Sequence, residues 1–157
     1  MKRVLLTGMS GTGKSILIQE LRARGYKSVD MDEPGWSEQS ADGDWVWREE
    51  RVEALLAVDD SEILFISGCA ENQVKFYPQF DHIILLSAPA PVLVERLMTR
   101  TNNPYGKSPE ELADVLYYLE TVEPQLRRGA THEVDASAPL GEVLATVLSL
   151  VGAKLIL

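Results

Sequence analysis

Cysteine is almost missing from this chain. Its 157 residues include one, Cys69, so no internal disulfide can form, and a reducing, cytoplasmic setting is expected. With no histidine near it in sequence, Cys69 reads as a small buried residue rather than a nucleophile. Long apolar runs are missing too. None approaches the ~20 residues that span a bilayer. Met1-Lys2-Arg3 leads directly into an apolar strand without a secretory leader pattern, so no membrane partner is expected. Positive charge is scarce: 15 Lys and Arg face 24 Asp and Glu, for a net charge of -9. A protein that coats nucleic acid needs a basic face, so no nucleic-acid partner is expected either. The deficit leaves room for one anion site, where a few local cations decide. No tetrahedral metal cluster, Ser-His-Asp set or GTPase base-recognition motif is visible. The hydrophobic share of 45% is enough for a packed core in a chain of one domain's length.

What is present is organised around Gly8-Met9-Ser10-Gly11-Thr12-Gly13-Lys14-Ser15, which fits G-x-x-x-x-G-K-[ST], the phosphate-binding P-loop. The context fits as well. Val4-Leu5-Leu6 before it reads as a buried strand, and Ile16, Leu17, Ile18 and Leu21 after it follow a helical period. Glycines let the backbone approach phosphate oxygens, and successive N–H groups turn inward to make an anion site at the positive end of the next helix. Gly8, Gly11, Thr12 and Gly13 are therefore candidate nucleotide contacts. Lys14 would reach the β- and γ-phosphates, and the Ser15 hydroxyl would ligate Mg²⁺.

The remaining chain alternates strands and helices. A strand over residues 26–30 ends in Asp30-Met31-Asp32-Glu33 before Pro34. Acids at the carboxyl end of such a strand face the ligand crevice, although the same residues also suit a turn cap. Residues 37–44 read as a loop, and residues 44–56 as a helix capped by Asp44. That helix would carry Trp45, Arg48 and Val52 on one face and Trp47, Arg51 and Leu55 on another. Arg48 and Arg51 are candidate acceptor contacts; pairing with Glu49, Glu50 and Glu53 on a solvated face is the plainer alternative.

A third strand over residues 61–67 ends in the small, polar turn Gly68-Cys69-Ala70-Glu71-Asn72-Gln73, which makes Gly68 and Asn72 candidate acceptor contacts. A fourth strand covers residues 80–87. A helix from Pro91 to about Arg100 then puts Arg96 and Arg100 on one face. A polar loop follows, and Ser108-Pro109-Glu110-Glu111 is a strong helix start. That helix would run toward Arg128 with a bend near Pro124. A fifth short strand (132–135) and a closing helix (140–151) end a single domain over residues 1–157. The alternation implies a parallel sheet with helices on both faces.

At the P-loop and in the order of these features, the chain resembles the small P-loop kinases of the adenylate kinase and shikimate kinase group. The resemblance implies a three-layer α/β/α P-loop NTPase fold with five parallel strands in the order 2-3-1-4-5. It implies a lid segment at about residues 100–120, including Asn102, Asn103, Tyr105 and Lys107. Asp135 to Val143 corresponds to the adenine-holding segment, with the base near Pro139. Two departures bear on the substrate. The D-G-F-P-R motif of adenylate kinases is replaced by Gly68-Cys69-Ala70-Glu71-Asn72-Gln73, without its arginine. The D-x-D of shikimate kinases is matched by Asp30-Met31-Asp32, whereas their glycine turn is matched only in Gly68.

The resemblance implies an ATP-dependent, Mg²⁺-dependent kinase acting on a hydroxyl of a small molecule. Asp32 would orient or deprotonate that hydroxyl, Asp30 or Asp32 would support the metal through water, and Arg96 and Arg100 would neutralise the transferred phosphoryl. A nucleoside or nucleotide kinase is a second reading. An ATP-binding switch with little turnover is a third, from a different class. A monomer or small homo-oligomer is expected.

Overall fold

Val4, Leu5 and Leu6 are wholly buried in β1 (Lys2–Thr7), the central strand of the protein. The computed structural model describes residues 1–101 and 103–153. Asn102, expected in the lid, lies outside them. The apolar residues of β1 alternate between two core layers. Val4 and Leu6 pack with Leu17, Ile18 and Leu21 of α1 (Lys14–Ala23) and with Val147 of α6 (Leu140–Leu150). Leu5 packs on the other side with Val52 and Leu56 of α2 (Glu49–Ala57). Burial on both faces is what a continuous apolar strand requires.

β2 (Lys27–Asp30), β5 (Ile63–Ser67), β6 (His82–Ser87) and β7 (His132–Asp135) complete a sheet in the order β2-β5-β1-β6-β7, parallel throughout. Counting the main strands alone, this is the expected 2-3-1-4-5 order. Asp30 and Ser67 are register partners, so the carboxyl ends of β2 and β5 finish side by side.

The segment between β2 and α2 departs from expectation. Residues 44–48 are not helical. β3 (Ser37–Gln39) and β4 (Trp45–Trp47) form an antiparallel hairpin, and α2 starts only at Glu49 with Arg48 at its cap. The reason is local. Trp-Val-Trp suits a strand, and the side-chain amide of Asn72 takes both backbone groups of Trp47. Asn72 Oδ1 accepts from Trp47 N at 3.0 Å, and Nδ2 donates to Trp47 O at 2.9 Å. The Trp47 ring is 2% exposed and fills the space above Gly68. A Cβ there would lie 3.1 Å from the indole Nε1 and 3.0 Å from Met31 Cβ.

Two further differences are smaller. The turn after β5 continues as a 3₁₀ segment, Glu71–Gln79. The helix expected to reach Arg128 divides into α4 (Pro109–Thr121) and α5 (Glu123–Gly129) at Val122, because Pro124 has no N–H to continue the ladder. Its start is as expected: Glu111 N donates to Ser108 Oγ at 3.1 Å. α3 (Ala90–Thr99) follows β6 and leads into the loop before α4. No helix among the described residues is long and apolar enough to cross a membrane.

Asn72→Ala leaves both Trp47 backbone groups without their side-chain partner. The expected loss is ~1–3 kcal/mol of unfolding free energy, read by urea denaturation with Trp fluorescence.

Candidate nucleotide and acceptor site

The P-loop crosses from β1 to α1 at the carboxyl edge of the sheet. Gly13 caps α1 at φ 89°, a left-handed conformation that a side chain would strain. Gly8 backs onto β6 so closely that a Cβ would collide with Leu86 O. Two of the loop's carbonyls are held by its own side chains. Lys14 Nζ donates to Gly8 O at 2.6 Å and to Met9 O at 3.0 Å, and Thr12 Oγ1 donates to Met9 O at 2.8 Å. The loop thus keeps its nest conformation, in which N–H groups serve an anion.

A cleft of about 380 Å³ opens over this loop, within the usual size of a small-ligand site. Lys14, Ser15, Asp32, Arg96, Arg100 and Asn103 all line it. The structure therefore brings together the P-loop, the second acid of D-x-D and both α3 arginines. Gly11, Thr12 and Gly13 line it too. On the far wall stand Ala138 and Leu140. Pro139, between them, is exposed at the cap of α6 and is not part of the lining.

The acids are arranged around Asp30. Ser15 Oγ donates to Asp30 Oδ2 at 2.7 Å, and Asp32 N donates to Asp30 Oδ1 at 2.9 Å. Asp30 is 6% exposed, while Asp32 opens to the cleft. Ser67, the register partner of Asp30, has a buried Oγ without a partner. Burial, and then the charge of Asp30, push the Asp32 carboxyl above its ordinary range, with Lys14 opposing. Burial lowers the pKa of Lys14 against the attraction of Cys69, Asp32 and Asp30.

The other expected contacts divide. Arg51 stacks over Trp36 at 4.3 Å and donates to Gly35 O, which fixes the turn after β2. Arg48 is freer. Its Nε stands 4.0 Å from Glu38 Oε2 and is buried without a hydrogen-bond partner among the described residues. Neither arginine lines the cleft. Gly68 lies beneath Trp47, and Asn72 is committed to Trp47 and, at 3.1 Å, to Glu49 Oε2. Cys69, expected to be buried, is exposed at the carboxyl end of β5, because Gly68 rather than Cys69 fills the space under Trp47.

Sequence reasoning missed Gln73. Its Oε1 accepts from Ala70 N at 3.0 Å, and its Nε2 donates to Thr7 Oγ1 at 3.1 Å and Tyr77 Oη at 3.0 Å. It ties the end of β1 to the 3₁₀ segment. A polar residue in a polar turn gives no signal of this.

Lys14→Met removes a desolvated ammonium. Nucleotide affinity should fall by about tenfold or more, measured by calorimetry. The ammonium's hydrogen bonds to Gly8 O and Met9 O go with it. A lysine with a lowered folded pKa disfavours folding most below that pKa, so the stability of the variant relative to the parent should be highest near neutral pH and fall as pH climbs toward 10.5. Thermal melts across pH read this directly.

Comparison with known proteins agrees with this fold. A family profile described as an AAA domain matches residues 4–117. No curated protein matches the chain. Among solved structures, a shikimate kinase from Bacteroides thetaiotaomicron superposes with TM-score 0.69 at 20% identity, over 96% of this chain and 98% of that one. A gluconokinase from Sinorhizobium meliloti does so with TM-score 0.66 at 24% identity, over 94% and 90%. A shikimate kinase from Acinetobacter baumannii, solved in complex with shikimate, gives TM-score 0.67 at 16% identity, over 96% and 93%. The profile covers more than half of the chain and the structures share its sheet, so the chain belongs to the AAA-domain family and has the fold of the small P-loop kinases.

Proposed function

We propose that this chain is an ATP-dependent kinase that phosphorylates a hydroxyl of a small, anionic molecule. The observation that carries the reading is the shared cleft: the P-loop lysine and the Asp32 carboxylate line one cavity. A module that only binds nucleotide needs Lys14 but has no use for Asp32.

In this reading the P-loop amides and Lys14 hold the β- and γ-phosphates of ATP. The Ser15 hydroxyl and Asp30 carboxylate are hard oxygen donors already in contact, and they suit Mg²⁺, which binds through one or two such groups plus phosphates. When bound, the metal would neutralise phosphate charge. Asp32 orients the acceptor hydroxyl for in-line attack on the γ-phosphorus. As the new P–O bond forms and the β,γ-bridging bond breaks, the hydroxyl proton passes to the Asp32 carboxylate and ADP leaves. Arg100 lines the same cleft and would offset charge on the transferred group. Of Arg48, at the cap of α2, and Arg51, within it, Arg48 suits an anionic group on the acceptor, because its ion pair to Glu38 is long. Shikimate and gluconate, acted on by proteins of this fold, define the acceptor class to try first.

The direct test is ADP release from Mg·ATP with sugar acids, shikimate, nucleosides and nucleoside monophosphates, using Lys14→Ala as the blank. A Lys14-dependent rate stimulated by one acceptor is expected; nucleotide binding with no stimulated rate for any acceptor would favour a switch. Asp32→Asn should abolish transfer and spare ADP binding. Because Asp32 must be ionised to take the proton and its pKa is raised, the acid limb of kcat/KM should lie above the ordinary aspartate value of 3.8. Arg48→Ala should raise acceptor KM without changing KM for ATP.

A further inference from the structure

A second cavity, of about 530 Å³, opens at the carboxyl ends of β6 and β7, against α5. It shares no lining residue with the nucleotide cleft. One stretch of backbone separates the two. Asp135 and Ser137 line this cavity, whereas Ala136 and Ala138, alternating with them, line the nucleotide cleft.

Most polar groups of the lining satisfy one another. Arg127 is its one cation. Arg127 Nε donates to Glu133 Oε1 at 2.7 Å, and one terminal nitrogen donates to Glu123 Oε1 at 2.9 Å and to Glu133 Oε2 at 3.2 Å. Ser87 Oγ donates to Glu133 Oε2 at 2.7 Å. Ser137 donates to Asp135 Oδ1 from its backbone N at 2.9 Å and from its hydroxyl at 2.5 Å. Glu133 thus has both oxygens met. Glu123 does not. It is 8% exposed, and its Oε2 is buried with no hydrogen-bond partner among the described residues.

Charge points the same way. Three carboxylates, Glu123, Glu133 and Asp135, face one guanidinium. The hydrogen bond from Arg127 holds Glu133 below the usual carboxylate range, and that from the Ser137 hydroxyl does the same for Asp135. Both are charged at neutral pH. A network that served stability alone would gain by balancing its charge and meeting its buried oxygen. A cationic N–H donor does both at once. Among the described residues no three His, Cys, Asp or Glu are placed to hold a metal ion. The volume is that of a small-molecule site. An organic cation therefore fits better than a bare ion.

We propose that this cavity is a second binding site, for a small organic cation of the alkylammonium or guanidinium class, which donates to Glu123 Oε2 and offsets the charge of Asp135. The site lies outside the kinase reading and does not depend on it.

The test is calorimetric titration of agmatine and of n-butylammonium into the full chain at low salt, with 1-butanol as the uncharged control. Both cations should bind saturably, with Kd about 1 mM or tighter, and butanol should not. Glu123→Gln keeps the oxygen that accepts from Arg127 and turns an amide N–H₂ toward the cavity, donor against donor. It should weaken agmatine by about tenfold or more. Asp135→Asn should weaken it a few-fold. Asp32→Asn, in the other cleft, should leave it at the parental value. No saturable binding of either cation up to ~10 mM overturns the proposal. So does parental affinity in Glu123→Gln, or loss of binding in Asp32→Asn, which would put the cation in the nucleotide cleft. Should Glu123→Gln fail to fold, Asp135→Asn decides, since Asp135 is exposed: parental affinity overturns the site, weakened affinity supports it. Cation binding is read without nucleotide or acceptor, so an absence of kinase turnover cannot be mistaken for either result.

Discussion

The carbonyls of the P-loop need donors, and much of the structure is arranged to supply them. Met9 O is bound by Thr12 and Lys14, Gly8 O by Lys14, and Gly11 O by Arg96. The loop is held closed on its own carbonyls, and Thr12 N also donates to Met9 O, at 3.3 Å. A loop so curled cannot stand alone. β1 fixes where it starts, α1 where it ends, β6 closes in behind Gly8, and α3 lies under Gly11.

The site also sets charge against stability. Lys14 is desolvated, and Asp30 and Asp32 stand close enough that Asp32 is held above its ordinary pKa. A chain selected for stability alone would not group these charges, and phosphate, metal and acceptor are the partners that would relieve them. The edge beside β2 and β5 is built differently. There the β3–β4 hairpin, Trp47 over Gly68, and the amides of Asn72 and Gln73 form a rigid, apolar-backed wall. Arg51 strengthens that wall through Trp36, and Arg48 is left with its charge incompletely met.

Much of this was legible in the sequence, for identifiable reasons. The P-loop motif needs a strand, a glycine turn and a helix, and Val4-Leu5-Leu6 and the Leu17/Leu21 period supply them. The parallel sheet followed from alternation, and the order of its strands from family likeness. Asp32 could be placed beside the crevice because it follows the carboxyl end of β2. What failed was residues 44–48, where a helical period in Trp and Arg was overridden by Asn72, 25 residues after Trp47, binding the Trp47 backbone. Arg96 and Arg100 could be put on one helix face but not told apart, since their partners are carbonyls of Gly11, Ala136, Asn103 and Tyr105. Backbone acceptors leave no trace in residue type. The same holds for Gln73 and for the opening of Cys69 to solvent.

The central claim is that phosphates bind on the Gly11–Ser15 amides with Asp32 facing the reacting phosphorus across the same cleft. A crystal structure of the chain with MgADP and aluminium fluoride, a mimic of the transferring phosphoryl, tests it most directly. The fluoride group is expected between Lys14 and Asp32, with the metal on Ser15 and the in-line position open toward Asp32. A nucleotide bound with its phosphates away from the loop, or a fluoride group with Asp32 turned from its open face, would contradict it.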